Sequence, residues 1–271
     1  MRRDRLEDAF ETGLSVSLIA TRRDHLLTCG PDERIEEVNR RAEQRFDNIP
    51  VVAEGLIVGT LTRDRMRPGR RVSDCYTPLS ERHMIGATSP ILAFVRCPDC
   101  TNGRFIVDGE RITGLVTLSD LQKLPARAAL FGLVTRLELL MGAVIVARFG
   151  DDGWINRLRN GDRQAVEEEI GRARQRDTFT RAIDYTHLSH KFWLLRDLRG
   201  LDDQRAFRAV RDLRNDLAHA KPYVLDRQEE LQLVQTVRII DDWTGRLRDI
   251  ADRAEDDPQA PQVDATPRAA A

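Results

Sequence analysis

Lysine is nearly missing from this chain. It occurs at Lys123, Lys191 and Lys221, whereas lysine and arginine together number 43, a bias we take as the codon usage of a GC-rich bacterial genome. Four cysteines (Cys29, Cys75, Cys97 and Cys100) in 271 residues are too few and too scattered to frame a disulfide scaffold. A reducing cytoplasm is therefore the expected compartment. Net charge is close to absent as well, at −1, so no global field draws in nucleic acid, and any RNA contact must rest on local arginine clusters. Met1–Thr12 is charged, predicted helical, and holds no apolar run of the secretory kind. The most apolar run, Leu130–Phe149, is interrupted by Arg136, Glu138 and Arg148 and reads as a buried helix rather than a membrane span. Cys97 and Cys100 lack a second cysteine pair to complete a structural zinc site, and a turn with incidental thiols is the simpler reading.

What is present is enough apolar residue, 41%, to fill two small cores, and 32% charged residues for their surfaces. From Leu14 to about Gln122 the chain spells the same unit twice. In the first copy Leu26–Thr28 is strand-like, Gly30-Pro31-Asp32 turns into a predicted helix over Glu33–Phe46, and Ile49–Val52 and Leu56–Thr62 read as strands joined at Glu54-Gly55. The second copy has a short helix at Pro90–Val95, strands at Phe105–Val107 and Ile112–Thr117, and a helix opening at Ser119-Asp120. Gly59 and Gly114 mark equivalent positions 55 apart (114 − 59), a signal of duplication.

Gly114-Leu115-Val116-Thr117, followed by Asp120-Leu121, together with Ile49-Pro50-Val51-Val52, resembles CBS domains, and two such repeats resemble the paired Bateman module. The resemblance covers roughly the first 125 residues. It implies an adenosine nucleotide (AMP- or ATP-like) as regulatory ligand, with Asp120 on the ribose hydroxyls and Thr117 near the phosphates. In the first copy Thr62 stands in register with Thr117, but Arg65 replaces the carboxylate. One well-formed ribose site is therefore implied, with Arg63 or Arg65 as a phosphate contact. A ligand-free pair used for packing or dimerisation is the alternative.

Beyond Pro125 the β alternation stops. Ala126–Phe149 is a long apolar helix ended by Gly150-Asp151-Asp152-Gly153, Asp162 caps a charged helix through Arg174, Asp177–Leu198 is a third periodic stretch, and Gln228–Arg253 a last helix. Between them a helix beginning near Asp202 and ending before Pro222 sets Val210, Leu213 and Leu217 on one face. Arg208, Arg211, Asn215 and His219 fall on the other, with Arg214 at the border. That polar stripe is either solvated or pressed against a partner.

Arg214-Asn215 followed by His219 resembles the Arg-x4-His signature of the HEPN superfamily, many members of which are metal-independent RNA endonucleases acting as dimers. The chemistry suits the residue types. Cleaving RNA through its own 2′-hydroxyl needs a group that moves protons near neutral pH, which histidine does, and a cation to hold the phosphate, which arginine does. Asn215 is placed to orient the imidazole, and no metal or catalytic cofactor is called for.

The expected fold class is α+β: a 1–13 helical extension, CBS repeats over 14–78 and 79–125 made of short β-sheets with helices, an all-α HEPN-like bundle over 126–253, and a disordered tail at 254–271. The expected protein is a cytoplasmic homodimer without membrane association, in which an adenine nucleotide governs an endoribonuclease. A non-catalytic regulator that dimerises and binds a partner or RNA is the alternative. His187 and His190 are expected to be structural; Glu138 either is buried with Arg136 or Arg214 as its candidate partner or faces water, and Trp154, Trp193 and Trp243 are read as core.

Overall fold

A computed structural model describes residues 13–43, 46–97, 103–175, 181–198 and 200–256. The predicted amino-terminal helix, Cys100 and most of the carboxy-terminal tail lie outside the described residues. Contacts divide the chain into two compact units. One joins the residues up to Leu130 to Ala220–Gln235, and the other joins Phe131–His219 to the residues from Thr236 onward.

The first unit holds two small sheets. β2 (Asn48–Ala53) and β3 (Leu56–Thr62) form a hairpin that turns through Glu54 and Gly55, both at positive φ, and β4 (Thr77–Pro78) joins it in the order β2-β3-β4. The other sheet runs β1-β7-β6-β5, from β1 (Thr21–Arg22), β7 (Arg111–Thr117), β6 (Gly103–Asp108) and β5 (Met84–Gly86). The repeats are therefore interlocked. β1 comes before the first repeat's helix and hairpin yet pairs with β7 of the second hairpin, and β4 comes before the second repeat's helix and hairpin yet pairs with β3 of the first.

The two glycines explain how this is possible. A Cβ on Gly114 would stand 2.6 Å from the Thr21 carbonyl oxygen, and one on Gly59 2.4 Å from the Thr77 oxygen, so each crossing requires a bare backbone. The same exchange recurs at the helices. The Val16 amide donates to the Ser89 carbonyl and the Ile91 amide to Leu14, before α2 (Ile91–Val95); the Ile35 amide donates to Arg70 and Val72 to Glu33, at the start of α1 (Ile35–Ala42).

The β-hairpins follow the sequence pattern, because alternating apolar residues between two cores admit little else. Elsewhere the details differ. Leu26–Thr28 is not a strand; the chain is extended there and pairs with β2 one residue later, where Cys29 receives from Val52 and donates to Pro50. α1 stops at Ala42, since Glu43 takes the left-handed conformation (φ 46°). Ser119-Asp120 lies in a 3-10 turn, Leu118–Gln122, and the long helix α3 begins after it, at Leu124, and runs to Phe149.

α3 is long and apolar enough to span a membrane by length and composition, but its stripe of Leu133, Leu137, Leu140, Met141 and Val144 is buried within the protein. The second unit also holds α4 (Asn160–Gln175), α5 (Leu188–Leu195), α6 (Gln204–Ala218) and, from Thr236, the rest of α7 (Arg227–Asp256). The predicted 177–198 helix is shorter than its periodicity implied: a 3-10 turn at Ala182–Tyr185 and the extended residues Thr186 and His187 precede α5.

The core of this unit stacks Phe192 on Phe207 (ring centroids 4.1 Å apart) and against Trp243 (5.8 Å), while Trp154 is fully enclosed. Trp193 is not core. Its indole lies between the guanidinium groups of Arg159 (3.9 Å) and Arg196 (3.3 Å), as amphipathic aromatics do at a surface. Glu138 pairs with Lys191, at 3.3 Å, a partner not among the candidates read from the sequence. His190 accepts the His187 amide at the start of α5 and lies 3.7 Å from Asp162, in keeping with a structural role.

Candidate functional site

In the first unit the strand carrying the signature residues, β7, ends at Thr117 and opens into the 3-10 turn. The Asp120 carboxylate closes that turn. Its Oδ2 receives the Thr117 amide (2.7 Å) and hydroxyl (3.1 Å), while Oδ1 meets the Lys123 ammonium at 2.7 Å. Asp120 is 4% exposed. A carboxylate held this way belongs to a turn in which Thr117 Oγ1 is also hydrogen-bonded to Ser119 Oγ, at 2.9 Å.

Those two residues line a cavity of about 620 Å³, within the ~300–1,000 Å³ range of small-molecule sites. Its walls come from far-separated stretches: Thr21 and His25–Leu27, Phe46–Asn48 at the start of β2, Leu115 and Thr117–Ser119 with Gln122, and Val224–Asp226 from the loop before α7. The last wall is strongly held. The Tyr223 hydroxyl donates to the Leu121 carbonyl, Gln122 Nε2 to the Val224 carbonyl (2.8 Å) and Arg127 Nη2 to the Lys221 carbonyl (2.6 Å). Arg127 also lies over the Tyr223 ring at 5.0 Å, and burial pushes the Tyr223 phenol up to about 12.

The equivalent cleft of the other repeat is smaller, about 480 Å³, and carries Thr60, Thr62, Asp64 and Arg65 opposite Thr77, Ser80, Arg82 and His83. Thr62 thus occupies in its cleft the place that Thr117 occupies in the larger one. Arg65 stands in the sequence register of Asp120, so this cleft carries a guanidinium there, beside the Asp64 carboxylate. His83 Nδ1 accepts the Ser80 amide at 3.1 Å, and burial, with Arg82 nearby, holds the imidazole below its usual range.

In the second unit α6 is capped at its start by Asp203, whose carboxylate receives the Arg205 and Ala206 amides. Ala206, Phe207, Val210, Leu213 and Leu217 are buried beneath it. Arg208 is exposed and Arg211 half-buried, its guanidinium bound to Asp212 (2.9 Å). Arg214 and Asn215 are half-buried on this helix. His219 lies one residue beyond its end and is exposed, with its amide bonded back to the Asn215 carbonyl at 3.0 Å. Among the described residues, no hydrogen bond or ion pair engages the side chains of Arg214, Asn215 and His219.

The thiols offer no second site. Burial pushes Cys29 up to about 12, Cys75 is buried, and Cys97 receives an Arg104 guanidinium N–H at 2.6 Å. Among the described residues no cluster of histidine, cysteine or carboxylate side chains has the arrangement of a metal site. Reasoning from the sequence missed His25, Asn48, Gln122 and Val224–Asp226, because none belongs to a local motif; the one available signal was the signature strand itself.

Two interlocked α/β repeats with a cleft against each signature strand define the class of the amino-terminal unit. Residues 19–67 match the CBS domain family, and the amino-terminal region accordingly carries a CBS domain with a CBS-like α/β fold, followed by a helical region. Among solved structures, the chain is similar to the CBS-pair protein CBSX2 from Arabidopsis thaliana (17% identity, 43% of this chain and 94% of that one, TM-score 0.37). The same protein in complex with AMP gives 16% identity, 40% and 92% coverage, and a TM-score of 0.35. The CBS domain of a bacterial CNNM/CorC family Mg2+ transporter in complex with ATP gives 20%, 43% and 89%, and 0.35. No curated protein matches the chain.

Proposed function

We propose that the amino-terminal unit is a Bateman-type CBS pair that senses an adenine nucleotide, and that it governs a HEPN-type, metal-independent endoribonuclease in the helical region. The observation that carries the sensing is the cavity of about 620 Å³ against Thr117–Ser119. The ribose hydroxyls engage the turn of Thr117 and Asp120 by replacing the Lys123 ammonium on Asp120 Oδ1. Lys123 is 44% exposed at its side chain and Asp120 6%, so the ammonium has water to move into while the hydroxyls take over as donors to the buried carboxylate. Thr62 and Arg65 in the smaller cleft take a phosphate.

The ribonuclease reading is supported by Arg214, Asn215 and His219, whose side chains are engaged by no ion pair or hydrogen bond among the described residues. His219 moves the proton from the 2′-hydroxyl, Arg214 holds the phosphate as charge builds up, and Asn215 orients the imidazole or the phosphate. A homodimer brings two such sets to one cleft in this cytoplasmic protein. A second reading, a ligand-free CBS pair used for packing or dimerisation, is favoured by one observation: Asp120 is already satisfied by internal partners.

Two measurements decide. Incubation with RNA should show metal-independent cleavage that His219→Ala and Arg214→Ala reduce at least about a hundredfold; equal rates in wild type and variants remove the catalytic assignment. Calorimetry with AMP and ATP should give heats that Thr117→Val weakens; no heat with either nucleotide ends the sensing reading.

A further inference from the structure

The third wall of the larger cavity follows the α6 motif directly in the chain. Val224, Leu225 and Asp226 stand five to seven residues beyond His219 and open α7, where Asp226 caps the helix by receiving the Glu229 amide at 2.8 Å. Val224 is 3% exposed. With this segment docked, about 620 Å³ stays open, so a small-molecule ligand fits without displacing it. Such a ligand gains a wall from the segment, and the segment gains a contact from the ligand. Binding and docking are therefore linked with positive sign.

The charges of the lining add a constraint. Its one group able to carry positive charge is His25, whereas Asp47 and Asp226 carry carboxylates; Asp47 is bound by Arg63 at 3.0 Å, which leaves Asp226 uncompensated by a basic side chain of the lining. The smaller cleft, by contrast, presents Arg65 and Arg82 beside the single carboxylate of Asp64.

We infer that Val224–Asp226 is part of the ligand site of the larger cavity, where its carboxylate selects a nucleoside of little negative charge over a polyphosphate and the bound ligand clamps the segment that follows the α6 motif. The inference rests on the nucleotide-sensing reading and goes beyond it by naming an additional specificity residue and the order of ligands. A carboxylate facing added phosphate charge across a partly exposed site lowers affinity roughly five- to tenfold. Asp226→Asn removes that charge while keeping a good helix cap.

The test is calorimetry of the full chain with adenosine, AMP and ATP, for wild type and Asp226→Asn, with hydrogen exchange of residues 221–226 in each mixture. The expected result is adenosine or AMP binding more tightly than ATP, slower exchange of 221–226 on binding, and a five- to tenfold gain for ATP alone in the variant. Heats with unchanged exchange and the same ligand order in Asp226→Asn would overturn this inference while leaving nucleotide sensing intact. No heat with any of the three would end both.

Discussion

Replacing Glu138 tests the internal electrostatics of the helical unit and, through it, the availability of Arg214. Lys191 is 6% exposed at its side chain, and its ammonium meets Glu138 Oε1 at 3.3 Å and the Thr186 carbonyl at 3.0 Å. Taking away one member of a buried pair costs about 3–5 kcal/mol, because the other charge stays buried without its counterion. Glu138 keeps 20% exposure and Lys191 keeps Thr186, so Glu138→Leu is expected to cost about 2–3 kcal/mol. Lys191→Met, which leaves the better-solvated partner, should cost about 1–2 kcal/mol. The double variant should return to within about 1 kcal/mol of wild type, since both charges then leave together.

Urea denaturation followed by tryptophan fluorescence is the assay, because Trp154, Trp193 and Trp243 all belong to the helical unit. Costs that simply add in the double variant would show that the two charges do not interact. A Glu138→Leu protein that loses stability only together with Arg214 would show that the arginine, not Lys191, is the counterion. With Lys191 in that role, Arg214 keeps its charge for a phosphate.

Other perturbations have equally definite outcomes. Burial holds His83 and His190 below the usual histidine range, so the folded protein favours their neutral forms. The stability they contribute is present above the ordinary histidine pKa of ~6.5 and lost as pH falls through it toward the depressed folded values; His83→Gln with His190→Gln should flatten urea midpoints between about pH 5 and 7. Gly114→Ala would drive a methyl to 2.6 Å from the Thr21 oxygen and should cost more than about 2 kcal/mol. Gly109→Ala, strained only by its φ of 58° in an open turn, should cost about 1 kcal/mol. Asp120→Asn loses the Lys123 pair and weakens the turn, and a fall of about 1–2 kcal/mol in chemical denaturation of the amino-terminal unit is expected.

Much of the local structure could be read from residue order. The β2-β3 and β6-β7 hairpins follow from two-residue alternation around Glu54-Gly55 and Gly109, and α6 from the spacing of Val210, Leu213 and Leu217. Arg214, Asn215 and His219 stood out in the sequence through helical spacing and the Arg-x4-His resemblance; the helix holds Arg214 and Asn215 and ends at Ala218, one residue before His219. Less legible was the 177–198 stretch, where apolar residues at helical spacing include Ile183 in a 3-10 turn, a position buried equally well by either conformation.

Periodicity, turn chemistry and capping are properties of neighbouring residues, and these the amino-acid order determined by itself, down to the two glycines that marked the duplication. Tertiary structure decided what meets across long separations: β1 on β7, β4 on β3, Lys191 on Glu138, and Val224–Asp226 against Thr117 and Gln122. The physical reason is that such partners are chosen by shape, close backbone approach and the desolvation of particular charges. None of these leaves a repeating trace along the chain.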